Sequence, residues 1–153
     1  MPPRSLATKG PMAFELERIR ETDIILVRAS GEGSVQEVYA LLEALTTQTL
    51  VPTLAAVLLD LRELQNAPSP AEARVLAEAF GNFAVAHGCR LAYVAQPGYP
   101  FGIMRMVEMQ AQVHGAVTAT FSDYPEALRW LAGGVRPGGR RTTPGSGLSR
   151  PKA

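Results

Sequence analysis

Ser69 is a serine whose surrounding sequence would tolerate a phosphate on its hydroxyl. It opens the segment Ser69-Pro70-Ala71-Glu72. In this segment the serine oxygen can cap free backbone N–H groups, proline occupies a position that needs no N–H, and glutamate completes a capping box. A phosphate at the start of a helix is stabilised by the helix dipole and by the same N–H groups. Ser69 is therefore a candidate phosphoacceptor, and the alternative is a helix cap with a structural role alone.

Asp60 and Arg62 follow the apolar run Ala55–Leu59, which contains no polar residue. We expect this run to be a strand buried inside a sheet, with Asp60 at its C-terminal end where a loop begins. Open α/β sheets bind ligands beyond that edge, so Asp60 and Arg62 are candidate interaction or ligand-binding residues. The alternative is a polar loop in which these residues and Glu63 pair with one another.

The third predicted helix, residues 101–114, has apolar side chains around most of its circumference. Its one narrow polar stripe consists of Arg105, Glu108 and Gln112. A helix this apolar needs a partner besides its own sheet, and methionines make an adaptable binding surface. We therefore expect Arg105, Met106 and Met109 to contact another protein or a second copy of the chain. The alternative is packing of this helix against the last predicted helix.

Two aromatic residues suggest another use of the same region. Tyr99 and Phe101 lie at the loop 96–101, and together with the methionines they could line an apolar pocket with few polar anchors. The alternative function is thus a carrier or sensor of a small apolar or lipid-like ligand, held between the third helix and this loop.

Few residues of the sequence offer catalytic or metal-binding chemistry. The two histidines, His87 and His114, each precede a glycine that ends a predicted helix, where a cation suits the negative end of the helix dipole. The single cysteine, Cys89, begins an apolar strand and is expected to be buried. We therefore predict a protein without enzymatic activity, metal or cofactor.

An α/β domain over residues 14–132 is expected to position these side chains. Apolar patterns, turn residues and capping signals predict strands at 14–20, 24–29, 55–59, 90–95 and 117–121, and helices at 35–47, 70–87, 101–114 and 125–132. This order is typical of a mainly parallel five-stranded sheet with right-handed crossovers. The first two strands are expected to form a hairpin at one edge.

Composition indicates a globular core between two basic ends. Residues 14–132 hold all 14 acidic residues and eight of the 15 basic ones, which gives this part a net charge of −6. The leader, 1–13, and the Gly-, Pro- and Ser-rich tail, 133–153, are expected to be disordered. No apolar run is long enough to span a membrane and no signal peptide is evident, so we predict a cytoplasmic protein. The tail lacks aromatic residues, so nucleic acid binding is not expected.

Three segments together resemble the STAS family, which includes the anti-sigma-factor antagonists and SpoIIAA-like bacterial proteins. They are LLDLREL, the helix capped by Ser69, and FSDYPEALRWL, and the similarity runs from about residue 14 to 132. FGIMRMVEM followed by TATFSDYPEALRWL is similar to the STAS/SEC14-type bacterial subgroup. The resemblance implies a sheet in strand order 1-2-3-4-5, wound with helices into a β–α superhelix. It also implies a non-enzymatic regulatory role.

The resemblance carries over to one site residue. In the antagonists, the first serine of an Asp-Ser-Ser-Gly motif is phosphorylated, and Ser69 falls at the position of that serine. The surrounding residues depart from the motif, because Pro68 replaces the aspartate and Pro70-Ala71 replaces Ser-Gly. The resemblance thus implies phosphorylation at a serine whose neighbours differ from the family pattern.

Overall fold

A five-stranded sheet forms the centre of the structure, a computed structural model that describes residues 12–133. The elements follow in the order β1 (Ala13–Arg18), β2 (Ile24–Gly31), α1 (Val35–Thr47), β3 (Ala56–Leu64), α2 (Pro70–His87), β4 (Arg90–Val94), α3 (Tyr99–Val113), β5 (Val117–Phe121) and α4 (Tyr124–Gly133). Apart from their innermost residues, the predicted leader and tail lie outside the described residues. None of the helices within residues 12–133 is long and apolar enough to cross a membrane.

The strands lie in the sheet in the order in which they occur in the chain, β1-β2-β3-β4-β5. β1 and β2 pair antiparallel through a turn at Glu21, the one non-glycine residue of the described part with a positive φ, 60°. Each of the other neighbouring pairs is parallel. The predicted α/β fold, with a hairpin at one edge of a mainly parallel sheet, is therefore confirmed.

The two faces of the sheet are covered by different helices. Alternate residues of the central strands, such as Val57 and Leu59, pack with α1, α2 and α3 in one apolar cluster. The residues between them, such as Leu58, pack with Ala127 and Trp130 of α4 in a second cluster on the other face. β3 is therefore covered on both faces, as its apolar run predicts. The suggested packing of α3 against the last helix is wrong, because α4 lies on the opposite face.

Two differences between the predicted and observed element boundaries move candidate site residues into regular structure. β3 continues past Asp60 to Leu64, because β2 also continues and pairs Gly31 with Leu64, so Asp60 and Arg62 belong to a strand rather than to a loop. α3 begins at Tyr99, because Pro100 occupies the first turn of the helix, where no backbone N–H is required.

A histidine and a glycine mark the C-terminal ends of both α2 and α3, as the sequence predicts. α2 ends at His87, and Gly88 adopts the left-handed conformation with φ 62°. His114 follows the last residue of α3, and Gly115 has φ 95°. Cys89 is buried, and this burial raises the pKa of its thiol to about 12. The histidines thus lie at helix C-termini, and the cysteine is an apolar core residue.

Candidate functional site

Ser69 caps α2 through a complete capping box. Its Oγ accepts a hydrogen bond from the backbone N–H of Glu72 at 3.1 Å, and the Glu72 carboxylate accepts one from the backbone N–H of Ser69 at 2.9 Å. Pro70 follows the cap at the first helical position. Ser69 is exposed, so its hydroxyl combines a structural role with access from solvent.

The loop before Ser69 is held to both neighbouring loops by side-chain hydrogen bonds. Asn66 accepts from the backbone N–H of Gly33 at 2.8 Å and donates to the Gly33 carbonyl at 3.1 Å. On the other side, the Tyr99 hydroxyl donates to the Pro68 carbonyl at 2.9 Å. The segments that follow β2, β3 and β4 therefore form one connected edge beyond the C-terminal ends of these strands, and Ser69 lies on that edge.

A second serine caps a helix at the same edge, with a different arrangement. Ser34 precedes α1, and its Oγ accepts from the backbone N–H of Glu37 at 3.3 Å. The Glu37 carboxylate, however, accepts from the backbone N–H of Met12 at 3.2 Å and from the Ser34 hydroxyl at 3.3 Å. The glutamate of α1 thus binds the side chain of its cap and the chain before β1, whereas the glutamate of α2 binds the backbone N–H of its own cap.

An apolar crevice of about 60 Å³ lies between the first turns of α1 and α2. Its apolar walls include Val35, Val38, Leu61, Leu76, Phe80 and Met104. Ser34, Asn66 and Glu72 supply polar groups to its lining. Sequence patterns do not reveal this crevice, because separate strands, helices and loops each contribute only one or a few of its residues.

A more open cavity of about 190 Å³ lies beside the loop predicted to hold a ligand. Gln96, Pro97, Pro100 and Met104 line it on one side, and the loop 64–68 lines it on the other. The predicted ligand-pocket residues Tyr99, Phe101, Met106 and Met109 do not line either this cavity or the apolar crevice. Met104 contributes to both.

Asp60 and Arg62 form a bidentate ion pair on one face of β3. The Arg62 Nε and Nη2 atoms each lie 2.8 Å from an oxygen of Asp60, and these hydrogen bonds raise the pKa of Arg62. The guanidinium also lies 5.7 Å from the ring centroid of Tyr124, in the first turn of α4. The pair lines a polar cavity of about 420 Å³ together with Glu15, Arg28, Ser30 and Glu63. Both residues thus pair with each other, as the alternative interpretation expects, but within a strand.

The polar stripe of α3 faces the edge of the sheet. Glu108 is buried, and Arg105 lies 3.2 Å from both oxygens of its carboxylate. Gln112 donates to this carboxylate at 3.4 Å and to the backbone carbonyl of Thr118 in β5 at 3.1 Å. Arg105, a candidate interaction residue in the sequence, thus pairs with Glu108 of its own helix, and Gln112 attaches α3 to the last strand of the sheet.

Methionines of α3 differ in exposure. Met104 is buried in the core, Met106 is half-buried against it, and 55% of the Met109 side chain is exposed. Of the neighbouring aromatic residues, Phe101 is half-buried and Tyr99 is 57% exposed. The candidate interaction residues therefore reach the surface chiefly at Tyr99 and Met109.

Tyr93 of β4 is a residue that the sequence analysis did not single out. Its side chain is fully buried, and neither its hydroxyl nor that of Thr118 has a hydrogen bond of good geometry. Burial, and to a smaller degree the nearby Glu108 carboxylate, raises the pKa of Tyr93 far above its usual range. Among residues 12–133, no three His, Cys, Asp or Glu side chains are grouped as ligands for a metal ion.

Comparison with known proteins identifies the fold. No family model matches the sequence, and no curated protein matches it. An anti-sigma factor antagonist from Mycobacterium paratuberculosis is similar in structure, with a TM-score of 0.53 and 17% sequence identity over 79% of this chain and 94% of that chain. This chain therefore shares its fold with that antagonist. A DUF3478-family protein with a SpoIIAA-like fold from Shewanella loihica PV-4 is 21% identical over the same shares of the two chains, with a TM-score of 0.49.

Proposed function

We propose that this protein is a non-enzymatic regulatory module of the cytoplasm that acts by binding another protein, with Ser69 as its point of control. The observation that carries the proposal is the exposed Ser69 cap at the start of α2, in a fold similar to that of an anti-sigma factor antagonist. The edge around Ser69 is connected by hydrogen bonds from Asn66 and Tyr99, so a change at Ser69 acts on an ordered surface.

A phosphate on Ser69 would replace one set of interactions by another. The backbone N–H of Glu72, which now binds the Ser69 hydroxyl, would be available to a phosphate oxygen. The Glu72 carboxylate, held 2.9 Å from the backbone nitrogen of Ser69, would be repelled by the added negative charge. Phosphorylation would thus keep the helix capped but open the capping box, which changes the charge and shape of the exposed edge.

The test compares Ser69 with the matched cap Ser34. The full-length chain is used to recover binding proteins from its own host, as wild type and as Ser69→Ala, Ser69→Asp, Ser34→Ala and Ser34→Asp. We expect Ser69→Asp to change the recovery of one specific partner by about tenfold or more, because it introduces the charge but keeps a good cap. Ser69→Ala and both Ser34 variants should leave this recovery nearly unchanged.

Intact-mass measurement of the chain purified from its host supplies the second half of the test. A species heavier by one phosphate, lost in Ser69→Ala but kept in Ser34→Ala, would support control at Ser69. Equal recovery of partners by every variant, with no phosphate on the wild-type chain, would sink the proposal.

A carrier or sensor of a small apolar ligand is the second candidate function, and the apolar crevice between α1 and α2 favours it. A volume of about 60 Å³ accepts only the end of an apolar molecule, so the rest of the ligand would lie outside among Ser34, Asn66 and Glu72. We expect such a ligand to raise the melting temperature of the wild type but not of Val38→Phe, in which the larger ring fills the crevice. Equal stabilisation of both proteins would argue against this site.

A further inference from the structure

The outward face of α3 carries a regular apolar seam. Its residues repeat at alternating spacings of three and four, at positions 99, 102, 106, 109 and 113, the spacing of the a and d positions of a coiled coil. Tyr99, Met109 and Val113 are 57%, 55% and 84% exposed, and they are three of the eight large apolar side chains that are exposed among the described residues. Two more lie near the C-terminal end of α3: Val117 follows it closely in sequence, and Val85 of α2 lies beside Gly115.

This seam differs from the isolated apolar residues on the other helices. Tyr39 of α1 is 50% exposed, but Glu43 follows it one turn later on the same face. Val75 of α2 is 41% exposed, and Glu78 follows it three residues later. Single exposed apolar residues are normal on a protein surface, whereas a continuous apolar stripe along a helix indicates a binding surface.

Gly102 is the second residue of the seam and lies between Tyr99 and Met106. A Cβ atom at this position would have open space around it, so nothing within the described residues requires a glycine here. Glycine inside a helix is destabilising relative to alanine, and a close approach by another chain is one reason to have it. A side chain from a second helix can enter the gap that Gly102 leaves.

The residues beside the seam permit contact with an identical chain. Gln110 and Gln112 are uncharged, and the charge of Arg105 is neutralised by Glu108 of the same helix at 3.2 Å. Two copies brought together along this seam would therefore bring no unneutralised like charges of α3 together. A partner selected by charge would instead need charged groups at these flanking positions.

We propose that α3 is the interface of a homodimer in which two α3 helices pack antiparallel along this seam. In the antiparallel arrangement, a positions face d positions, so Gly102 lies opposite Val113 of the second copy and Met106 lies opposite Met109. The gap at Gly102 is filled by a valine, and the helix dipoles oppose each other favourably. A parallel arrangement would place Gly102 opposite itself and leave the gap empty. Tyr99, at one end of the seam, also donates to the Pro68 carbonyl beside Ser69, but the pairs formed by positions 102, 106, 109 and 113 do not involve Ser69, so either proposal can fail without the other.

Two heptads bury less than the ~800 Å² per partner of a standard interface, so we expect a weak dimer. Sedimentation of the full-length chain at concentrations between about 10 μM and 1 mM therefore tests the proposal. Met109→Lys should raise the dissociation constant by about a hundredfold or more, because symmetry places two unpaired charges in the interface. Val75→Lys, the matched change on α2, should leave it unchanged. A chain that is monomeric throughout this range, or a dimer that Met109→Lys does not weaken, overturns the proposal.

Engineered cysteines test the register. Cys89 does not interfere, because it is buried and its thiol has a pKa of about 12. An equimolar mixture of Met106→Cys and Met109→Cys chains should form disulfide-linked dimers faster than either variant alone, and so should a mixture of Gly102→Cys with Val113→Cys. Faster linkage within a single variant would show a parallel pairing and overturn the proposed register. Melting temperatures of all the variants show whether each remains folded.

Discussion

Helices α2 and α3 lie side by side on the same face of the sheet, yet they begin differently and face solvent differently. α2 starts with a serine cap, a proline and a capping glutamate, and its exposed side includes Arg74 and Glu78. α3 follows Gly98, which has no side chain to cap it, and its exposed side carries Met109 and Val113. The first turn of α2 is therefore capped by residues next to it in the sequence, and charged side chains lie on its exposed side. The exposed side of α3 is the surface on which we propose that a second copy binds.

The buried faces of α2 and α3 should contribute similarly to the stability of the domain, and the variants with the largest expected effects test this. Phe80 of α2 and Met104 of α3 are both buried in the same cluster. We expect Phe80→Ala to lower the free energy of unfolding by about 3–5 kcal/mol and Met104→Ala by about 2–5 kcal/mol, through lost contacts and cavities. Urea denaturation measures both. A loss below about 1 kcal/mol at Met104 would mean that α3 is only loosely attached to the core.

The next prediction rests on the close approach of α2 and α3. A Cβ atom added at Gly81 of α2 would lie 3.1 Å from the Cβ of His114, just past the end of α3, and 3.4 Å from the backbone oxygen of Ala111. Gly81→Leu should therefore destabilise the protein by about 1–3 kcal/mol, since the backbones must separate to accept the side chain. Gly102→Leu on the open side of α3 is the matched control and should not lower the stability of the monomer. If both changes behaved alike in thermal unfolding, the packing of the two helices would differ from the one described.

The cap of α2 gives a smaller effect. Ser69→Ala should lower the free energy of unfolding by roughly 0.5–2 kcal/mol, because the N–H of Glu72 loses its acceptor. Ser69→Asp should retain most of the stability, since a carboxylate is also a good cap and suits the helix dipole. The same pair of changes at Ser34 should cost less, because the Ser34 Oγ lies 3.3 Å rather than 3.1 Å from the backbone nitrogen that it caps, and Glu37 keeps its bond from the Met12 N–H. Chemical denaturation of the four variants checks this order, which a larger loss at Ser34→Ala would contradict.

The contrast between α2 and α3 also explains what could be read from the sequence. Ser69, Pro70, Glu72 and Gly88 act on their own helix, so local patterns predict both ends of α2 correctly. Hydrophobic runs and the order of elements predict the sheet and its hairpin in the same way.

The features that were missed depend on residues distant in sequence. β3 extends past Asp60 because β2 continues beside it, and the pairing of Gly31 with Leu64 cannot be seen in either segment alone. The face of the sheet on which α4 lies depends on the arrangement of all five strands. The apolar stripe of α4 alone therefore does not show that α4 packs away from α3. The crevice near Ser69 and the burial of Glu108 likewise arise only where separate elements meet.

The smallest expected effect tests the outer face of α3 directly. Met109 is 55% exposed and Met106 is half-buried, so replacing both by glutamine removes little buried contact from a monomer. We expect the double variant to lose less than about 1 kcal/mol of unfolding free energy, most of it at Met106. The measurement needs a concentration at which the wild type is monomeric, because dimer formation would add apparent stability to it. At high concentration the same variant should sediment as a monomer. A loss of several kcal/mol in the dilute protein would place these methionines in the core, and α3 would then be as self-contained as α2.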